Sequence, residues 1–469
     1  MSLVELSLAE AAAGVRTGEF RSRDLVEASL ARIEAVNPAL NAVIRVEAAS
    51  ALAAADAVDA QVASGVPLGP LAGVPLAHKD MFYRQGEPST CGSRIRRDFR
   101  PDHTATVMAR LAAAGAIYVG GLNMAEFAFG PTGHNDHFGH CRNPWDPDRI
   151  TGGSSSGSGA ATAARMVHGA LGSDTGGSVR LPAAMCGLVG LKPTQTRVSR
   201  YGVMGLSFSF DNVGPLTRTV LDNALMLQAI AGHDPDDPTS SRHPVDDYVS
   251  AARAPRAAGM RIGIARGYFE RDGDAESLAS RDLALAVFEG LGAELVEVDV
   301  GDMNAISALA AAVMGPEAAT LHAGWLRDRP QDYGAQMRAR CEIGFQFSGV
   351  DYLSALQLRP RIVEEFVARV FSRCDVLLAP TFNLRTPRID ETDVGAGQGF
   401  EAVISGLSRC TRPFNYLTLP GLALPTPEPV AGMPGSIQLV GRPFKEATLY
   451  RLAAAYEAET GFASRKPAL

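Results

Sequence analysis

Thr151-Gly152-Gly153-Ser154-Ser155-Ser156-Gly157-Ser158-Gly159 and, after one alanine-rich stretch, Asp174-Thr175-Gly176-Gly177-Ser178-Val179-Arg180 form a pair of glycine–serine loops. One such loop alone reads as a turn or a linker. Here the segment between them predicts a small-residue helix, 157–168, and a short strand, 169–173, so both loops belong to a packed unit. Upstream, the apolar stretch Val74-Pro75-Leu76-Ala77-His78-Lys79-Asp80, predicted as a short strand through Leu76, carries one of only four lysines in the chain.

The same alternation continues outward. Helix is predicted over 103–114 and 217–231. Strand is predicted over 116–119, 188–191, 261–265, 294–298, 375–379 and 437–440, and a last helix over 446–459. Alternating helices and strands imply a mixed or parallel sheet covered on both faces. The first 65 residues read as helices. Ser7 to Glu10 is a capping box, Leu25, Val26, Leu30 and Ile33 recur at helical spacing, and 48–64 is alanine-rich. The expectation is one α/β domain over 1–469, with 1–65 packed on it and the core motifs between 73 and 218. The Asp/Pro/Ser-rich stretch 232–256 reads as a surface connection.

Composition narrows the function. The chain has 469 residues, is 46% hydrophobic, and carries a net charge of −7. That balance argues against a dedicated nucleic-acid surface. The cluster Arg94, Arg96, Arg97 and Arg100 reads as a solvated loop. Six cysteines are scattered with no paired spacing, which suggests free thiols in a reducing compartment. No export signal and no membrane-length apolar run is apparent. The expectation is a cytoplasmic protein with no membrane contact.

Amide hydrolysis needs an activated nucleophile, a site for the tetrahedral oxyanion, and an acid for the departing amine. Ser178 is the candidate nucleophile, because it ends a glycine turn and precedes a predicted helix, 179–186. The amides of Thr175, Gly176, Gly177 and Ser178 are the candidate oxyanion hole, each critical donor being worth about 3–4 kcal/mol. No histidine lies in either loop. Lys79 is the candidate base, since burial disfavours an ammonium and lowers its pKa. Ser154 is placed to relay the proton.

Other readings are weaker. The Walker pattern is absent. Gly153 to Gly157 also satisfies G-x-S-x-G, with Ser155 as nucleophile. That motif needs a strand directly before it and a late histidine. The preceding segment is polar, and the last histidine is His322. His134, His137 and His140 could bind zinc by type, but their loop setting favours a structural or access role. No metal and no cofactor is expected.

At these residues the chain resembles the amidase signature family. The resemblance is carried by Gly73-Val74-Pro75 with Lys79-Asp80, Asn143-Pro144-Trp145-Asp146, Gly152-Gly153-Ser154-Ser155, Asp174 to Arg180, and Gly190-Leu191-Lys192-Pro193-Thr194. A late Gln438-Leu439-Val440-Gly441-Arg442-Pro443-Phe444 also fits. The resemblance implies a Ser–cisSer–Lys triad of Ser178, Ser154 and Lys79, with a cis peptide before Ser154. It implies that Asp174 and Arg180 brace the loop, and a fold of one α/β domain around a large mixed sheet. Ser156 stands where the commoner pattern has glycine, which leaves the triad intact.

The family contains free amidases and the glutaminase subunit of a tRNA-dependent amidotransferase. Such subunits usually carry an acid shortly before a T-x-P-x-N run. Here Leu407-Ser408-Arg409-Cys410 precedes Thr411-Arg412-Pro413-Phe414-Asn415, with no acid. The sequence therefore favours an amidohydrolase whose partner is a small-molecule amide, acting through a serine acyl-enzyme. A homodimer is left open, and the amidotransferase subunit is the alternative.

Overall fold

The computed structural model describes residues 2–395, 397 and 399–469. Among them eleven strands form one mixed sheet. They are β1 (Val43–Val46), β2 (Pro75–Lys79), β3 (Ile117–Leu122), β4 (Gly169–Asp174), β5 (Val189–Lys192), β6 (Asn212–Thr217), β7 (Arg261–Ile264), β8 (Glu294–Glu297), β9 (Val376–Pro380), β10 (Gly421–Pro425) and β11 (Ser436–Val440). Their order is β1-β3-β2-β4-β6-β5-β10-β11-β9-β7-β8. Two sub-sheets thus join at the antiparallel β5–β10 pair. The first six strands come from the N-terminal half and the last five from the C-terminal half. This is the single mixed-sheet α/β domain that the alternation implied.

Local chemistry accounts for the elements. The box at Ser7 and Glu10 caps the helix Leu8–Thr17, as its spacing predicts. Asn41 takes a left-handed conformation (φ 52°) and ends the helix Ser22–Leu40. That turn frees Val43–Val46 to pair with β3 as an edge strand. The N-terminal segment is therefore not wholly helical: the short β-branched run Val43-Ile44-Arg45-Val46 is too short for a helix and long enough for an edge.

The helix Ser156–Ala163 is buried along its whole length, which explains why it contains only Ser, Gly, Ala and Thr. Between β6 and β5 a Cβ on Gly214 would stand 1.8 Å from the Leu191 carbonyl oxygen, so only glycine allows that approach. The strands β6 and β10 escape sequence reading. Each contains a proline and a glycine, which disguise a strand.

One expectation holds in outline and one is corrected. Residues 232–256 are a surface connection, as expected, tied down where Asp234 accepts from Thr106 Oγ1 at 2.5 Å and where the helix Tyr248–Arg253 packs through buried Tyr248 and Ala251. Arg96 is not solvated. It is buried, its guanidinium 3.6 Å from the Phe99 ring centroid.

Candidate active site

Lys79 is the last residue of β2, and its side chain is 1% exposed. Its Nζ donates to Ser154 Oγ at 2.6 Å and to Ser173 Oγ at 2.8 Å. Burial lowers the Lys79 pKa to about 7, against the opposing charges of Asp211 and Asp174. At neutral pH an ordinary lysine is uncharged in roughly one molecule in a few thousand. Burial therefore makes the neutral amine far more accessible at neutral pH than in an ordinary lysine.

Ser154 is fully buried, and the Gly153–Ser154 peptide bond is cis. The amide of Ser155 donates to the Ser178 carbonyl at 3.3 Å, which lays the two glycine loops side by side. Ser178 is half-buried and lines a narrow cleft of ≈ 30 Å³ with Phe129, Thr175, Gly176, Leu181, Leu206, Met314, Arg340, Ser408 and Arg412. The structure thus brings Lys79 and Ser154 into direct contact and sets Ser178 on the adjoining loop at the cleft.

Asp174 and Arg180 are both 0% exposed and pair at 3.0 Å. Asp174 also accepts from the amides of Gly177 (2.8 Å) and Val179 (3.2 Å), shaping the turn into the helix Arg180–Cys186. Burial alone would raise the Asp174 pKa; the Arg180 charge and donors, with Asn415, hold it down to about 2. Arg180 reaches further, to Asn415 Oδ1 (2.7 Å) and Gln438 Oε1 (2.9 Å). Thr411 Oγ1 donates to the Gly176 carbonyl at 2.7 Å. Of the four candidate oxyanion amides, that of Gly177 is already bonded to Asp174. Among the described residues nothing accepts from the amides of Gly176 and Ser178. Gly177 has a φ of 131°, open to glycine.

The remaining candidates separate cleanly. Ser155 is fully buried and its Oγ donates to the Ser173 carbonyl at 3.3 Å, so the G-x-S-x-G serine faces away from the cleft lining. The three histidines hold three different partners: His134 with Thr392, His137 with Glu126, and His140 with Asp393. Among the described residues no cluster of His, Cys, Asp or Glu is arranged to hold a metal. No helix of the described residues is long and apolar enough to cross a membrane.

Ser173, Asp211, Arg340 and Arg412 are site residues that sequence reading missed. Ser173 and Asp211 each sit one residue outside a strand end or motif. Arg340 and Arg412 come from distant elements that only the fold brings to the cleft.

The family model described as Amidase matches residues 24–450. The chain belongs to the Amidase family. A relative in Anaeromyxobacter sp. (strain K), named as a Glutamyl-tRNA(Gln) amidotransferase subunit, is 42% identical over 483 residues. The match covers 98% of this chain and 97% of that protein. A solved structure is described as a vestigial protein complex bearing on the evolutionary origins of an s-triazine catabolic enzyme. It matches at 36% identity with a TM-score of 0.90, over 97% of this chain and 99% of its own. The corresponding Glutamyl-tRNA(Gln) amidotransferase subunit of Thermotoga maritima matches at 31% identity and TM-score 0.81, over 97% of this chain and 95% of its own.

These likenesses overturn one expectation. A small-molecule amide as sole partner, with no nucleic acid, does not fit full-length relatives named as subunits of a Glutamyl-tRNA(Gln) amidotransferase. The sequence misled because composition reports the chain's own surface charge, not what an assembly supplies. The preference for a stand-alone enzyme over the subunit rested on one missing acid, and a 42% identity over nearly the whole chain outweighs it.

Proposed function

We propose that this amidase is the amide-cleaving subunit of an amidotransferase-type assembly, releasing ammonia from glutamine beside protein partners that handle a tRNA-linked substrate. The full-length likeness to subunits of that name carries this reading. The Lys79–Ser154 contact supports its chemistry.

In the proposed reaction neutral Lys79 takes a proton from Ser154, which takes one from Ser178. Ser178 Oγ attacks the amide carbonyl. Amides of the Thr175–Ser178 loop hold the oxyanion. Collapse breaks the C–N bond, and the proton stored on Lys79 returns through Ser154 to the leaving nitrogen as ammonia departs. Water then cleaves the acyl-enzyme by the same relay. Asp174 and Arg180 keep the loop in shape.

A second reading differs in the amide. The described lining of the cleft includes Arg340 and Arg412 and no carboxylate, and a carboxylate is the natural partner for the ammonium of glutamine. This observation favours an amide without a cationic amino group. Ammonia release from glutamine and from a panel of simple amides, with the protein alone and with its co-purified partners, separates the two. Glutaminase activity that rises with partners is expected. Full activity on simple amides alone, with none on glutamine, would overturn the first reading.

A further inference from the structure

Asp211 stands one residue before β6. The β4–β6 register sets Ser173 against Val213 and Asp174 against Asn212. Continuing that register puts Asp211 across from Thr175, and Asp211 Oδ1 accepts from Thr175 Oγ1 at 2.6 Å. Its Oδ2 accepts from the amides of Leu206 (2.8 Å) and Ser207 (3.0 Å). Thr175 and Leu206 both line the Ser178 cleft. Asp211 also shares a cavity of ≈ 250 Å³ with Ser173, the second hydroxyl on Lys79 Nζ.

Each of these hydrogen bonds brings a donor to the carboxylate, the pattern of an ionised acid. The wall it holds is anchored in turn. Ser207 donates to Glu317, and Ser209 and Tyr352 donate to the same carboxylate at 2.5 Å and 3.1 Å.

We propose that Asp211 is a positioning residue with two effects. It ties the oxyanion loop to the cleft wall through Thr175, and its negative charge favours Lys79 in the protonated form that follows removal of the serine proton. The inference rests on the Lys79–Ser154–Ser178 reading above.

The charges around Lys79 single out Asp211. Asp174 also opposes the effect of burial on Lys79, but it is paired with Arg180. Asp80, next in the chain, is paired with Arg45. The Cys91 thiol is pushed up to about 12 by burial and stays neutral. Around Asp211 itself, burial raises its pKa while Thr175, the Leu206 and Ser207 amides and the charge of Arg200 oppose the rise. Asp236 and Asp237 line the same cavity.

The test is the rate of Ser178 labelling by a fluorophosphonate probe between about pH 5 and 9, a range that spans the Lys79 ionisation, read on the intact protein. In that step a Ser178 Oγ–P bond forms, the P–F bond breaks, fluoride leaves, and the serine proton ends on Lys79 through Ser154. No amide substrate is needed.

In Asp211→Asn the midpoint of the acid limb is expected to move to lower pH by about one unit, because losing a nearby negative charge disfavours the ammonium. Thr175→Val, which keeps that charge, is expected to lower the plateau roughly tenfold and leave the midpoint in place. Asp211→Glu should restore the wild-type midpoint. A folded Asp211→Asn protein with an unmoved midpoint overturns the inference. So does a Thr175→Val protein with a wild-type plateau, which decides the matter even if Asp211→Asn does not fold. Labelling that persists in Ser178→Ala would instead sink the triad reading.

Discussion

The two halves of the sheet divide the work unequally. The β1–β6 half holds Lys79, Ser154 and Ser178, every group proposed to move a proton, and Ser173, which binds Lys79 Nζ. The β7–β11 half supplies no such group. It supplies Asn415 and Gln438 to Arg180, Thr411 to the Gly176 carbonyl, and Arg340 and Arg412 to the cleft. Chemistry is concentrated in one stretch of chain, while the second, folded against it across the β5–β10 seam, braces the loop and completes a cleft that the first half also lines through Phe129, Leu181 and Leu206.

That division can be attacked first at the nucleophile. Ser178→Ala should reduce ammonia release by about 10⁴-fold or more, since members of a catalytic unit fail together. Residual activity within about tenfold of the parent would place the chemistry elsewhere. Lys79→Ala should abolish amide hydrolysis and cost less on an activated ester, whose leaving group needs little proton assistance. Equal losses on both substrates would remove Lys79 from the leaving-group step.

The seam is tested by Arg180→Met. It leaves Asp174 as a buried unpaired charge, and breaking such a pair costs about 3–5 kcal/mol, measurable by denaturant unfolding. The pH dependence has a definite sign. The Asp174 pKa is about 2 in the folded chain, below its ordinary value of 3.8. The stability it contributes is therefore complete above about pH 4 and lost as pH falls toward about 2. Arg180→Met should erase that acid-sensitive component. The smallest effect is expected at Thr411→Val, which removes one hydrogen bond from across the seam. A stability loss of about 1 kcal/mol is expected, with a several-fold fall in kcat and little change in KM. A change confined to KM would mean that Thr411 contacts substrate rather than bracing the loop.

Much of the first half is legible in the chain itself. Lys79, Ser154 and Ser178 lie in local motifs, and glycine loops announce themselves by composition. The strand–helix–strand run around them follows from apolar and small-residue spacing. The second half is legible only as elements. Nothing near Asn415 or Gln438 in the sequence says that both converge on Arg180, because that meeting depends on β10 and β11 lying beside β5. Asp211 is hidden for a related reason: its partner Thr175 is fixed by sheet register, which side-chain pattern alone does not give. Strands β6 and β10 are hidden by their own prolines and glycines. The likeness to amidotransferase subunits is spread over the whole chain, whereas the missing acid before Thr411 is a single position.

Everything proposed for the cleft depends on a neutral amine at Lys79 serving as the base for Ser178. The sharpest check is kcat/KM for ammonia release against pH on the wild-type protein. An acid limb with a midpoint at about pH 7 is expected, matching the lowered Lys79 pKa, and it should disappear in Lys79→Ala. A profile with no inflection below about pH 9, closer to an ordinary lysine, would contradict this assignment, as would a limb near neutrality that survives in Lys79→Ala.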